Sequence, residues 1–112
     1  MKVNKIIHRN RWHWGESHTI VLADGAALCF VKLEDGTKAA TLEDVIVSPS
    51  ERGKGLGNML VAEAIREAKR MGAKSLWLWT YTDTWMLDWY KRLGFKEDTI
   101  LDNNLQEMSI EL

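Results

Sequence analysis

One cysteine, one proline and no long apolar run mark this chain of 112 residues first by what it has little of. The lone thiol, Cys29, excludes an internal disulfide and points to a reducing, cytoplasmic setting. No stretch of 18 apolar residues occurs, so no helical membrane span is expected and no membrane partner with it. The first residues are basic but lack an apolar segment behind them, which argues against a secretory signal. Charge of one sign is also lacking: the net charge of −1 speaks against a nucleic-acid partner. His8, His13 and His18 have no metal-ligand companions at useful spacing, so no metal is expected and the three are read as solvated or capping side chains.

What is present is a globular composition, 46% hydrophobic and 28% charged, of a length that makes one domain over residues 1–112. The charges are unevenly spread. Lys2, Lys5, Arg9 and Arg11 precede the first acid, Glu16, while Glu97, Asp98, Asp102, Glu107 and Glu111 close the chain without a base. Solvated ends explain this simply; contact with a partner or a second copy, a homodimer, is the other reading. Six tryptophans, Trp12, Trp14, Trp77, Trp79, Trp85 and Trp89, are either core or the walls of a pocket.

Residues 3–14, which lack a helical period, the β-rich Thr19–Ala23, the apolar run Ala27–Leu33 and Ala40–Val47 read as strands, with turns at Asp24-Gly25 and at Glu34 to Thr37, and Pro49 closing the fourth. The period then changes. Leu56, Leu60, Ala64 and Ala68 recur at helical spacing to Met71, and Gly72 is a stop. Glu63 with Arg66 and Glu67 with Arg70 read as i,i+3 pairs on the wet side of that helix. Ser75–Tyr81 is a strand with Trp77, Trp79 and Tyr81 on one face. A short helix, Thr84–Leu93, follows Thr82 and Asp83 as cap residues and stops at Gly94. Phe95–Leu101 and Glu107–Leu112 complete the chain as a strand pair. The fold class is therefore α/β: a meander, then β-α-β-α-β-β, with a parallel pair flanking the long helix.

The strand-to-helix junction, Ser50 to Asn58, places glycines at 53, 55 and 57, with Arg52 and Lys54 between and before them. Glycine permits close backbone approach and positive φ, and the first-turn N–H groups of a helix attract anions. The turn suits a phosphate or pyrophosphate; glycines serving only tight strand-to-helix packing are the plain alternative. Neither a P-loop nor a dinucleotide-binding fingerprint fits, because no Ser or Thr follows Lys54 and the glycine spacing differs.

Arg52-Gly53-Lys54-Gly55-Leu56-Gly57 does resemble the motif of the GNAT superfamily of acyl-CoA-dependent N-acyltransferases: arginine or glutamine, two free positions, glycine, a free position, then glycine or alanine. The segment DWYKRLGF, Asp88 to Phe95, is similar to that family's closing helix. The stretch Leu42-Glu43-Asp44 looks most like spermidine/spermine and related small-amine acetyltransferases. The resemblance implies a GNAT-like fold, acetyl-CoA as co-substrate, and an amine acceptor, on a small molecule or a protein. It implies that Val45, Ile46 and Val47 pair with the pantetheine arm through their backbone. It implies that Arg52, Gly53, Lys54, Gly55, Leu56, Gly57 and Asn58 hold the pyrophosphate. Asp83 stands where the family often has a pantetheine-contacting asparagine; a carboxylate cannot donate as an amide does, and a cap role competes.

Transfer of an acyl group to an amine requires a proton acceptor, stabilisation of the carbonyl oxygen and a proton donor for the thiolate. Glu43 is the candidate acceptor and Tyr90 the candidate donor; a surface glutamate and a packing tyrosine are their plain alternatives. A backbone N–H near Val47 would polarise the carbonyl. Asp44 ranks below Glu43, since alternation turns it to the other face unless a bulge intervenes. Cys29 is read as core rather than nucleophile. Trp77, Trp79 and Tyr81 are read as core against a helix, or else as an acceptor wall. The two helices that the family places between its first and second strands have no room in residues 1–40. The acceptor side is thus shortened, which leaves a non-catalytic acyl-CoA-binding or protein-interaction module as the competing function.

Overall fold

Two-residue alternation gives way to a helical stripe at Leu56, and the architecture changes at the same residue. The computed structural model describes residues 3–112. Its elements are β1 (Lys5–Trp12), β2 (Gly15–Leu22), β3 (Ala27–Glu34), β4 (Ala39–Val47), α1 (Leu56–Arg70), β5 (Ser75–Tyr81), α2 (Trp85–Arg92), β6 (Lys96–Leu101) and β7 (Leu105–Glu111). The strands form one seven-stranded sheet in the order β1-β2-β3-β4-β5-β7-β6. All neighbours are antiparallel except β4 and β5, as the intervening helix requires. That parallel contact is short: Ala39, Ala40 and Thr41 register with Ser75, Leu76 and Trp77, and the strands then part.

A bulge explains what β4 does next. Glu43 opposes Phe30 and Ile46 opposes Leu28, so Cys29 alone faces both Asp44 and Val45. Asp44 takes φ 53°, and alternation is reset across it. Ala40 and Leu42 are buried under α1 before the bulge; Val45 and Val47 pack on that same core after it, and Ile46 is left 53% exposed. Glu43 keeps the opposite face.

One face of the sheet carries both helices. Leu56, Leu60, Val61, Ala64 and Ala68 of α1 close over Ile20, Cys29, Val31 and Leu76, and Tyr90, Phe95 and Met108 continue the same cluster. The opposite face carries no helix among the described residues. Trp77, Trp79 and Tyr81 lie there, Trp79 41% and Tyr81 57% exposed, so they are not core against a helix. The intervening Leu76, Leu78 and Thr80 take the buried side. Both sets alternate, and bulk alone favoured the wrong one.

Two further expectations are corrected. Glu67 is not on the wet side of α1 but 3% exposed, and His18 is buried at 4%. Position 67 lies seven residues after Leu60 and three after Ala64, inside the apolar stripe. Its carboxylate accepts from Arg9 Nε at 2.8 Å and Arg9 Nη2 at 3.1 Å, and His18 Nδ1 bonds to it as well. Arg70 is only a distant partner at 3.9 Å, whereas the Arg66–Glu63 pair forms at 3.0 Å. Burial alone would raise the Glu67 carboxyl, but the hydrogen bonds from Arg9 and His18 outweigh it and hold the group below the usual carboxylate range. His8 and His13 are exposed, as expected.

Candidate active site

The three glycines of the loop serve different purposes. Gly53 and Gly55 both sit at φ 81°, where an added Cβ would meet no atom within 4 Å. Backbone conformation, not crowding, requires glycine there. Gly57 is the reverse: a Cβ would lie 3.2 Å from Trp89 Cζ2, so its missing side chain lets α1 approach α2. Gly55 is the N-cap of α1 and offers no side-chain cap bond. Among the described residues, no hydrogen bond engages the N–H groups of residues 53 to 58; the first helical bond is Met59 N–H to Gly55 O, 3.1 Å. A row of open amides with the positive end of a helix behind it results.

These amides border a cleft of about 810 Å³ on the helix-bearing side. Of the expected cofactor residues, Val45, Val47, Arg52, Gly53, Gly55, Leu56, Gly57 and Asn58 line it. Three do not. Ile46 is turned to the other face by the bulge. Lys54 is absent from the lining and pairs with Glu51, itself a lining residue, at 3.0 Å. Asp83 is exposed, and the cap of α2 is Thr84, whose hydroxyl donates to Tyr81 O at 3.0 Å, so the cap reading of Asp83 fails as well. Arg52 Nε donates to Val47 O at 3.2 Å, holding the loop to the end of β4.

Trp85, Met86 and Trp89 of α2 form the remaining wall. The i,i+4 spacing of Trp85 and Trp89 was the available signal for this wall. Trp89 Nε1 donates to Asn58 Oδ1 at 2.7 Å, which ties the helices together, and the Trp85 and Trp89 ring centroids are 6.0 Å apart.

Tyr90 is 3% exposed, packed on Trp89 at 4.8 Å and Phe95 at 5.7 Å between ring centroids. Burial pushes its phenol up to about 12, with nearby Cys29 contributing. Among the described residues no sealed side-chain polar atom is unpaired, the Tyr90 hydroxyl bonds to none of them, and Tyr90 is not among the residues that line the cleft. Cys29 is likewise raised to about 12 by burial, which suits a packing thiol and not a nucleophile.

On the helix-free face a second cleft, of about 600 Å³, holds Glu43 with Trp14, Lys32, Glu34, Thr41 and Trp79. Glu43 Oε1 is 3.3 Å from Lys32 Nζ, and its Oε2 accepts from Thr41 Oγ1 at 3.2 Å. Glu43 belongs to this cleft and Val45 to the other, so the bulge at Asp44 is the threshold between them, beside the parting of β4 and β5.

An open-amide loop thus lies on one side of a parted sheet and an acid-bearing aromatic cleft on the other. The chain belongs to the GNAT family of acetyltransferases, whose sequence profile matches residues 4–95. Streptothricin acetyltransferase of Streptomyces lavendulae is 36% identical over 85 residues, 71% of this chain and 45% of that protein. The ribosomal protein bS18-alanine N-acetyltransferase of Haemophilus influenzae is 30% identical, over 70% of this chain and 51% of its own length. The chain thus spans about half the length of these curated relatives. The fold matches a Bacillus subtilis acetyltransferase solved with CoA, with a TM-score of 0.75 at 18% identity, covering 97% of this chain and 99% of that one. A GNAT family acetyltransferase from Elizabethkingia anophelis with acetyl-CoA bound gives the same TM-score at 16% identity and the same coverage. The mixed sheet with two helices is therefore a GNAT fold, with β1 and β2 joined directly.

Proposed function

We infer that the chain transfers an acetyl group from acetyl-CoA to an amine. The observation that carries this reading is the run of unpartnered amides at residues 53 to 58, bordering one cleft, with Glu43 across the bulge in the other. The fit to acetyl-CoA is supported on three counts. The amides and Arg52 suit a pyrophosphate, Val45 and Val47 offer a strand edge where β5 has parted, and the cleft is apolar toward Trp89. Bound there, acetyl-CoA supplies an activated thioester.

The chain's own groups then have defined tasks. An alkylammonium of pKa about 10 must lose a proton before it can attack. Glu43, directly or through water, accepts that proton, and the incoming ammonium competes with Lys32 for the carboxylate. Tyr90 keeps its proton at neutral pH because its phenol is raised to about 12. Full transfer to a thiolate of about 8.5 would run uphill by more than a thousandfold, so the phenol acts chiefly as a hydrogen-bond donor to the sulfur as charge develops, with solvent completing protonation.

The Lys32–Glu43 pair favours the competing reading of a non-catalytic acyl-CoA-binding module, because Lys32 already occupies the carboxylate. Thiol release from acetyl-CoA with a panel of amines separates the two. The enzyme reading predicts amine-dependent release that falls at least about tenfold in Tyr90→Phe and in Glu43→Gln. Cofactor binding without release in any amine contradicts it.

A further inference from the structure

The tip of the β1–β2 hairpin is held against the acceptor-side cleft with unusual care. Trp14 O accepts from the Asp35 N–H at 2.9 Å. Arg11 Nη2 donates to both Asp35 oxygens, at 2.9 and 2.8 Å, from the other side of the tip. Gly15 permits the approach: a Cβ there would fall 2.2 Å from Leu33 O and 2.8 Å from Glu34 Cα. The product of these contacts is the placement of one indole, Trp14, which lines the cleft with Trp79. Both residues keep more than a third of their surface open, 37% and 41%.

The charges of this cleft are not balanced. Lys32 answers Glu43 at 3.3 Å. Glu34, also lining the cleft, has no ion-pair partner among the described residues. One carboxylate without an ion-pair partner and two exposed tryptophans in one cleft suit a cation, since ring quadrupole and carboxylate attract the same charge. Glu43 opposes Phe30, four residues before Glu34 along β3. At about 3.3 Å per residue, that sets the two residues' backbone positions roughly 13 Å apart along the sheet. Ala39 and Thr41 floor the space between them.

We propose that Glu34 and Trp14 form a subsite for a second positive charge, so that the chain selects an acceptor with a cationic group set back by about this distance from its reacting amine. The hairpin tip replaces a helical wall as the specificity element on this side. The inference rests on the amine-acceptor reading of the cleft, and its test separates the two.

The test compares 1,8-diaminooctane with 8-aminooctan-1-ol, which differ only in the second ammonium. Binding is read by indole fluorescence and calorimetry, and turnover by thiol release, in the wild type, Glu34→Gln and Trp14→Ala. A CoA-induced thermal shift checks that each variant is folded. The expected result is a preference for the diamine of about tenfold or more in the wild type, falling to near one in Glu34→Gln and reduced in Trp14→Ala. Equal handling of the two compounds by the wild type, or an unchanged preference in Glu34→Gln, overturns the subsite. Selective diamine binding with no thiol release upholds the subsite and removes the acetyl-transfer reading; release without selectivity does the opposite.

Discussion

At the scale of single residues, Gly55 and Tyr90 each carry a claim that can be separated from the rest. Gly55 holds φ 81° with open space around its missing Cβ. Alanine there suffers no clash but must adopt a left-handed conformation, costing about 1–2 kcal/mol. The loop then relaxes and its amides turn away. Calorimetry with CoA is expected to show affinity reduced about tenfold in Gly55→Ala, and wild-type affinity in the variant would show that the loop shape is incidental to binding. Tyr90 argues through pH. A phenol at about 12 is protonated throughout the working range, so it imposes no loss of donor below that value. The profile of kcat/KM should rise with pH as the acceptor amine deprotonates and show no falling limb up to pH of about 10.5. A descent near pH 8 or 9 would mean that some other group supplies the proton.

At the scale of elements, the cluster of Arg9, His18, Glu16 and Glu67 fastens α1 to β1 and β2 from within. It also couples folding to pH. The Glu67 carboxyl is held below its ordinary value in the folded chain, so its contribution is present above the unfolded value of about 4.3 and is lost as pH falls through the folded one. Urea unfolding should show Glu67→Gln less stable at pH 7 by about 1–3 kcal/mol, with a smaller loss of stability than wild type between pH 5 and 3. Equal pH slopes in the two proteins would remove the cluster from the account. This cluster was legible only in part. The i,i+3 spacing of Glu67 and Arg70 is a true helical relation, but the sequence does not say that Arg9 and His18 arrive from two strands to outbid Arg70. The elements themselves were legible, because alternation and helical stripe are local signals. β5 falls on Ser75–Tyr81 as expected, and α1 ends one residue earlier than its pattern.

At the scale of the whole molecule, the site arises where local signals stop. The glycine loop could be read from spacing, since positive φ and a following helix leave a mark in residue type. The bulge at Asp44 could not, because an aspartate at φ 53° is imposed by pairing with β3 and by the core beneath Val45 and Val47. Yet that one residue sends Glu43 to one cleft and Val45 to the other, and drops Ile46 from the cleft at the glycine loop. For Trp85 and Trp89 the sequence left core and pocket wall open for a similar reason: the choice is made only once Gly57 lets α2 come close. The central claim, that open amides at 53 to 58 grip the diphosphate of CoA, is tested most directly by amide NMR. A 15N-labelled chain is titrated with CoA and, separately, with pantetheine, which lacks the diphosphate. The account predicts large shifts at the N–H groups of Gly53, Gly55 and Gly57 with CoA and small ones with pantetheine. Unmoved loop amides at saturating CoA, or equal shifts with both ligands, would contradict it.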